Sequence, residues 1–245
     1  MKTGIDVSNH QGKIDWSAVK GKIDFAMIRA GYSTTADLMF EANASMCKKH
    51  GVPFGVYWAS YALNEKDAER EAETCLSVIR QYPPTLWIAF DYEEFSEKYA
   101  RTKGVVPTEK LVCSIVAAFL EKIKKAGYNP MLYTNVDFIN RYYGKIKNSY
   151  PLWLAQWGVS KPKYSCELWQ MSDKGKIAGI NGNVDLDIMY DDFPEDVDKL
   201  FRSKYTRIAE EIIAGKYGNG DERKKKLKSA NIDIELAQAL VNTMV

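Results

Sequence analysis

The chain has 245 residues, of which 46% are hydrophobic and 27% are charged, and its formal net charge is +2. A chain of this length and composition is an ordinary globular protein that can bury one large core and carry a small appendage. The balanced charge gives no case for a nucleic-acid partner. Because no apolar run is long enough to span a bilayer, we expect no membrane partner either.

Apolar, β-rich segments recur along the first 190 residues, and helix-like patterns follow the earlier ones. Strands are predicted at residues 3–8, 25–30, 53–59, 86–93, 131–135, 152–157, 167–172 and 183–190. Helices are predicted at residues 15–21, 37–50, 65–82, 107–127 and 136–146, one after each of the first five strands. This alternation predicts a parallel sheet, and eight strands predict its closure into an α/β barrel of the TIM type. The later spacers are too short for crossover helices.

Two acids stand two positions apart in the segment "FDYE" at residues 90–93. Residues i and i+2 of a strand share a face, so Asp91 and Glu93 are expected to project together, and two like charges held close raise one pKa. For an isolated pair, a strand ending in a charged loop is the more common explanation. Asp6, however, ends the first strand and Asp185 lies on the eighth, and these strands are neighbours in a closed barrel. Four acids on one rim favour a catalytic site.

The scarcity of histidine narrows the chemistry further. Only His10 and His50 are present, which argues against a zinc hydrolase and against a nucleophile activated by histidine. The four cysteines are scattered without a C-x-x-C pair and are predicted to be free thiols. We therefore expect carboxylate chemistry that uses no metal or other cofactor.

Aromatic residues accompany the acids. All six tryptophans precede residue 170, and several aromatic side chains fall at predicted strand ends. Aromatic rings stack on sugar rings, and carboxylates beneath them suit glycosidic cleavage. Trp16 and Trp87 are predicted to pack between strands and helices. For Trp58 and Trp169, packing and sugar binding are equally supported by the sequence.

Seven motifs carry a resemblance to a known family. They are "GIDVSNHQGKIDW" (4–16), "MIRAGYS" (27–33), "GVYWASYA" (55–62), "FDYE" (90–93), "LWLAQW" (152–157), "LWQMS" (168–172) and "VDLD" (184–187). In this order they resemble glycoside hydrolase family 25, the lysozymes (N-acetylmuramidases) of phages, bacteria and fungi. The resemblance implies a flattened (β/α)5(β)3 barrel over residues 1–192. It also implies hydrolysis of the β-1,4 bond from N-acetylmuramic acid to N-acetylglucosamine in bacterial peptidoglycan.

The same resemblance implies roles for individual residues. Glu93 is expected to be the general acid, and Asp91 to raise its pKa or orient the substrate acetamido group. Asp6 and Asp185 are expected to position the second reactant or stabilise positive charge. The expected substrate-binding residues are Tyr32, Tyr57, Trp58, Tyr61, Tyr133, Gln156, Trp169 and Gln170. Retaining, inverting and substrate-assisted mechanisms all remain open at this stage.

One segment departs from the family pattern. Some members carry Lys-x-Ser/Thr-Glu-Gly at the end of the second strand, whereas this chain has "RAGYS" at residues 29–33 without a carboxylate. Because the "FDYE" pair is intact, we expect that glutamate to be dispensable. Arg29 is expected to point into the barrel and pair with an acid.

The chain changes character after a predicted linker at residues 193–204. Residues 205–245 show helical periodicity around a Gly-rich turn, and three short helices are predicted. This segment resembles the small cell-wall-binding repeat of some phage lysins. The resemblance implies contacts to peptidoglycan from a set of polar residues, namely Lys216, Tyr217, Asn219, Asp221 and Arg223. The run "RKKKLK" at 223–228 is either a solvated helix face or an electrostatic aid near an anionic wall.

A single repeat is expected to bind weakly, so avidity is expected to come from the catalytic groove or from self-association through the repeat. The N-terminus lacks a signal-peptide pattern. We therefore expect synthesis in a host cytoplasm and action on the cell wall after release. Two other classes of protein are alternatives. One is a non-catalytic glycan-binding protein that keeps the barrel, and the other is a peptidoglycan amidase or peptidase, which would need a metal cluster or a Cys–His pair.

Overall fold

The computed structural model describes residues 1–190 and 208–230, together with residues 232, 234, 237, 238 and 241. The chain divides into two compact units, residues 1–193 and residues 194–245. The predicted linker at 193–204 lies outside the described residues.

The first unit is built on one sheet that closes on itself. Its strands are β1 (Lys2–Val7), β2 (Phe25–Tyr32), β3 (Thr35–Ala36), β4 (Phe54–Ala59), β5 (Ile88–Asp91), β6 (Pro130–Asn135), β7 (Leu152–Ala155), β8 (Leu168–Gly175) and β9 (Val184–Met189). The ring runs β1-β2-β4-β5-β6-β7-β8-β9 and returns to β1. The short β3 lies outside the ring and pairs antiparallel with the end of β2. The predicted eight-stranded α/β barrel is therefore confirmed, with β3 as an addition that the sequence analysis did not predict.

The prediction of a wholly parallel sheet is wrong for the last strand. β9 runs antiparallel to both β8 and β1, whereas the pairs from β1 through β8 around the ring are parallel. The connection at residues 176–183 is too short for a crossover, and a short connection can join only antiparallel neighbours. β5 is also shorter than the fourth predicted strand at residues 86–93, because it runs from Ile88 to Asp91.

Helices cover the outside of the barrel as far as β6. They are α1 (Trp16–Val19), α2 (Phe40–His50), α3 (Glu65–Val78), α4 (Glu94–Thr102), α5 (Glu109–Lys125) and α6 (Val136–Phe138), which continues as a π-helical turn (Ile139–Tyr143). Five of these match the predicted helices, and α4 was missed. Its charged residues resemble a loop, but Phe95 and Tyr99 are spaced i, i+4 on one face. Within the described residues, no helix lies between β7 and β9.

Two apolar layers hold the barrel together. The larger lies between the strands and the surrounding helices and includes Phe90, Phe119 and Ile28. The smaller fills the barrel interior, where Phe25 lies so close to Gly4 that a Cβ at residue 4 would overlap its ring. Strand alternation sends successive side chains into one layer or the other.

The second unit contains two described helices, α7 at residues 208–213 and α8 (Gly220–Ser229). Its small core includes Ile208, Ile212 and Leu227. Gly215 and Gly218 in the predicted turn have positive φ, a conformation that favours glycine. The predicted third helix falls largely outside the described residues. In "RKKKLK" the lysines are exposed and Leu227 is buried, so the run forms a solvated helix face.

Candidate active site

A cavity of about 480 Å³ opens at the rim where the parallel strands end. Most of its lining comes from the carboxyl ends of different strands and the loops that follow them. The lining residues are Asp6, Asn9, His10, Arg29, Tyr32, Tyr57, Ala59, Tyr61, Asp91, Phe95, Tyr133, Trp153, Gln170 and Asp185. This placement is where barrels of parallel strands carry their chemistry.

Asp6 and Asp185 meet across the seam that closes the barrel. They are directly opposed in the antiparallel pairing of β1 with β9, as expected from the closure of the sheet. Asp6 is buried, and its Oδ2 accepts a hydrogen bond of 2.8 Å from Nε2 of Gln170. Burial raises the pKa of Asp6 well above its usual range, and the neighbouring carboxylates raise it further. Burial also raises the pKa of Asp185.

A third carboxyl, Asp187, completes this seam and was not predicted. Its Oδ1 accepts a hydrogen bond of 2.8 Å from Nε1 of Trp153, and burial raises its pKa to about 8. The signal was present in the sequence, since Asp185 and Asp187 are i and i+2 in "VDLD" and must share a strand face. Three carboxyls therefore face one another here, and at neutral pH the cluster retains protons.

Asp91 and Glu93 form the second acid pair, on the opposite side of the ring from β9. Asp91 is buried at the end of β5, and burial, followed by the charge of Glu93, raises its pKa well above the usual range. Glu93 is half-buried at the residue that caps α4, and it is not among the cavity-lining residues. Burial raises the pKa of Glu93 to about 7, while a hydrogen bond from Asn135 lowers it. The expected cause, the charge of Asp91, is therefore not the main one.

Tyr133 shows that the two acid groups converge. Its pKa is raised well above the usual value, first by burial and then by the charges of Glu93, Asp91, Asp6 and Asp185. Its hydroxyl donates a hydrogen bond of 3.2 Å to Oε1 of Gln170. All four predicted acids thus act electrostatically on one phenol at the rim.

Arg29 places a cation in this acidic cavity. Its Nε lies 2.7 Å from Oδ2 of Asp37, and its Nη2 donates to Oδ1 of Asn9. The expected pairing with an acid is confirmed, although Asp37 and Asn9 were not predicted as site residues. Asp37 also accepts from the backbone of Asn9 and Met39, so this carboxylate fixes three segments of the rim at once.

Tyrosines form one wall of the cavity. Tyr61 contacts Phe95 and Tyr99 with ring centroids 5.2 Å away in each case, and Tyr32 at 6.4 Å. Tyr32 is exposed and Tyr61 half-buried, so both rings are open to a ligand. Tyr57 lies deeper, edge-on to Trp153.

Three of the predicted substrate-binding residues lie elsewhere. Trp58 and Trp169 are buried between strands and helices, and their indole N–H groups donate to the carbonyls of Ser33 and Gln156. Their neighbours Tyr57 and Gln170 point into the barrel, so strand alternation sends both tryptophans outward. Gln156 does not line the cavity, and its Oε1 accepts from the backbone of Lys163.

An exposed aromatic that the sequence analysis passed over lies just beyond β7. Trp157 is 51% exposed, and its Nε1 donates a hydrogen bond of 3.2 Å to Oε1 of Gln170. Gln170 therefore links this exposed ring to Asp6 and Tyr133.

The predicted contacts of the second unit cluster around its turn. The hydroxyl of Tyr217 and the ammonium of Lys216 both reach Glu211. Arg223 is occupied internally, since it donates to Oδ1 of Asn219 at 2.8 Å and to the carbonyl of Gly218 at 3.0 Å. Asp221 is exposed in the first turn of α8. Arg223 thus holds the turn on which the other polar groups stand.

Among the described residues, no cluster of three or more His, Cys, Asp or Glu side chains could hold a metal ion. In the same part of the chain, no helix has the length and apolar character needed to cross a membrane. The four cysteines are free, as predicted.

Comparisons with known proteins agree with this geometry. The pattern of glycosyl hydrolases family 25 matches residues 5–180, and that of the CW_7 repeat matches residues 206–245. An autolytic lysozyme of Clostridium acetobutylicum is 29% identical over 188 residues, which cover 75% of this chain and 54% of the relative. This chain therefore spans about half the length of that relative.

Two further relatives extend the comparison. A lysozyme of Streptococcus phage Cp-7 is 28% identical over 255 residues, covering 97% of this chain and 68% of the relative. The crystal structure of the CTP1L endolysin superposes with a TM-score of 0.69 at 25% identity, covering 81% of this chain and 70% of that one.

Proposed function

The chain belongs to glycosyl hydrolases family 25, and on that premise we propose that it is a lysozyme acting on peptidoglycan. The bond cleaved is the β-1,4 link from N-acetylmuramic acid to N-acetylglucosamine. The observation that carries the proposal is the convergence of four carboxyls on Tyr133, three of which line a cavity with an aromatic wall. Glycosidic cleavage needs one carboxyl that is protonated and another group that stabilises positive charge at the sugar.

Glu93 is the proposed general acid. A carboxyl with a pKa of about 7 carries its proton over much of the neutral range and can release it to a leaving oxygen. Its half-buried position beside Asp91 lets a sugar oxygen reach it from the rim, whereas Asp91 is almost fully enclosed. Asp91, which lines the cavity, then serves to orient the substrate.

The opposite wall supplies the complementary charge. Asp6 and Asp185 face the cavity from the barrel seam, where they share protons and the one that is ionised can stabilise positive charge at the anomeric carbon. Tyr32 and Tyr61 offer rings for the sugar faces. Arg29 is fixed by Asp37 and lines the same cavity, where it offers the substrate a donor.

The deciding experiment is mass spectrometry of fragments released from purified peptidoglycan by wild type and by Glu93→Gln. We expect wild type to produce reducing ends on N-acetylmuramic acid and Glu93→Gln to release at least about 100-fold less, since general acid catalysis contributes 10²–10⁴-fold. Glu69→Gln is the matched control, because Glu69 is an exposed carboxylate on α3 that does not line the cavity. It should cleave as wild type does.

Two other results would overturn the proposal. Intact glycan strands with freed peptides would identify an amidase or peptidase. Binding to peptidoglycan without any fragments from wild type would identify a non-catalytic glycan-binding barrel. A fully active Glu93→Gln would keep the lysozyme activity but remove Glu93 from its role as general acid.

We also propose that residues 205–245 bind the glycan–peptide unit of the wall through Lys216, Tyr217, Asn219 and Asp221. The match to the CW_7 repeat and the clustering of these residues at one turn support this role. For the matched repeat, we propose that avidity comes from the catalytic groove or from self-association. Light scattering of the purified chain with and without muropeptide would test self-association.

The proposed site of action is the cell wall, reached after synthesis in a host cytoplasm and release. Similarity to the lysozyme of Streptococcus phage Cp-7 over nearly the whole chain supports this assignment. Fractionation of producing cells before and after lysis tests it, because the protein should move from the soluble fraction to the wall.

A further inference from the structure

Two peptide bonds connect Asp91 to Glu93 at the end of β5, and both polar atoms of the second, Tyr92–Glu93, are held by side chains. The carbonyl of Tyr92 accepts a hydrogen bond of 3.1 Å from the hydroxyl of Tyr143. The N–H of Glu93 donates a hydrogen bond of 3.1 Å to Oγ of Ser96. These two atoms belong to the same planar peptide unit, so Tyr143 and Ser96 grip it from opposite sides.

The two side chains that hold this peptide are buried, and they come from two separate elements. Tyr143 is 0% exposed and Ser96 is 1% exposed, so water does not compete for either hydrogen bond. Ser96 lies in the first turn of α4, which begins right after Glu93. Tyr143 ends the π-helical turn that follows α6, and such turns are frequent at functional sites. The widened turn sets the direction in which the Tyr143 side chain leaves the helix.

We propose that Tyr143 and Ser96 are positioning residues that fix the Tyr92–Glu93 peptide and thereby set where the Glu93 carboxyl lies relative to Asp91. This inference rests on the proposed function of Glu93. The orientation of the peptide depends on ψ of Tyr92 and φ of Glu93, the two soft torsions on either side of it. The Glu93 carbonyl is also held, since it accepts a hydrogen bond of 3.0 Å from the N–H of Glu97. Rotation of the peptide is thus the remaining backbone motion that could displace the Glu93 side chain, beside the side chain's own torsions.

The neighbouring tyrosine provides a matched control. Tyr142 lies in the same π-helical turn, is also buried, and donates its hydroxyl hydrogen bond to Oε1 of Glu97 at 3.1 Å. Its hydroxyl does not touch the Tyr92–Glu93 peptide. Tyr142→Phe and Tyr143→Phe therefore remove the same atom from adjacent residues of one turn, and only the second removes a hydrogen bond to the Tyr92–Glu93 peptide.

The first experiment compares kcat and KM on soluble peptidoglycan fragments for Tyr143→Phe, Tyr142→Phe and Ser96→Ala, with the melting temperature of each. We expect kcat to fall by about tenfold or more in Tyr143→Phe and Ser96→Ala with KM nearly unchanged, since small misplacements of reacting groups are costly. The double variant should lose no more than the worse single variant, because both act on one peptide. Tyr142→Phe should keep its kcat even if its melting temperature falls as far.

A second experiment separates this proposal from the proposed function. The Glu93 carboxyl is titrated by ¹³C NMR in wild type, Tyr142→Phe and Tyr143→Phe, without substrate. A change in the titration curve of Glu93 in Tyr143→Phe alone supports the positioning role of Tyr143 even if wild type proves inactive on peptidoglycan. An unchanged titration and unchanged kcat in Tyr143→Phe overturn it. An equal loss of kcat in Tyr142→Phe also overturns it, because the effect would then come from the turn as a whole.

Discussion

The barrel interior has two halves along the direction of its parallel strands. The half at the amino ends of these strands is filled by apolar side chains such as Phe25, Met27 and Trp87, whereas the half at their carboxyl ends holds Asp6 and Asp91. The same strands build both halves. Met27 and Arg29, two positions apart on β2, belong to the apolar filling and to the acid-lined cavity respectively. The boundary between the two chemistries therefore falls within single strands.

This contrast separates stability from function. Burying an apolar side chain lowers the free energy of the folded state, while burying a carboxyl without a full set of partners raises it. Asp91 Oδ1 and Asp187 Oδ2 are buried and have no hydrogen-bond partner among the described residues. The apolar half thus stabilises the fold and offsets the cost of burying carboxyls in the other half, where their raised pKa values suit proton transfer.

The largest expected effect comes from the apolar half. Phe25→Ala should lower the free energy of unfolding by about 3–5 kcal/mol, since it leaves a cavity in the barrel interior, and activity per folded molecule should persist. Urea unfolding and fragment release measure the two quantities. The reciprocal variant is Asp91→Asn, which should lose activity without losing stability. If both variants lost both properties, the division between the halves would be wrong.

The next effect is a dependence of stability on pH that originates in the acid half. Burial raises the pKa of Asp187 to about 8, so the folded state binds its proton more tightly than the unfolded state. Stability is therefore present at low pH and lost as the pH rises towards 8. Asp187→Asn keeps an acceptor for Trp153 and should gain a few kcal/mol over wild type at pH 8.5, with little difference at pH 4.

The control for this prediction is Glu69→Gln, which removes the same charge from an exposed position on α3. Its stability should follow wild type at both pH values. Parallel pH curves for wild type and Asp187→Asn would contradict the assignment of the loss to the seam carboxyls.

The order of the strands and the positions of Asp6, Asp91 and Asp185 could be predicted because they follow from strand periodicity, whereas Glu93 lies beyond the end of β5 and caps α4. Alternating apolar residues locate the strands, and closure of the ring places the last strand beside β1 whichever direction that strand runs. The antiparallel direction of β9 follows from the length of one loop and was missed. Asp37 was missed for a different reason, since its contact with Arg29 depends on the path of the segment after β3.

The errors among the aromatic residues have a simple physical cause. Tyr57 and Trp58 were both assigned to the substrate, as were Trp169 and Gln170, yet adjacent residues of a strand face opposite sides. Only one member of each pair can face the cavity, and in both pairs the tryptophan faces the helices. Applying alternation to each pair would have limited the choice to one residue.

The smallest effect distinguishes a cavity aromatic from a core aromatic and completes the comparison. Tyr61→Ala should raise KM by roughly tenfold, because a ring that stacks on a sugar contributes about 1 kcal/mol or more, while the melting temperature changes little. Trp58→Phe should do the reverse, since the buried indole loses its hydrogen bond to Ser33 without touching the cavity. Steady-state kinetics and thermal melts of both variants give four numbers. If Trp58→Phe raised KM as much as Tyr61→Ala, stability and binding would share the same aromatic residues, and the separation seen between the two halves of the barrel would not extend to its rim.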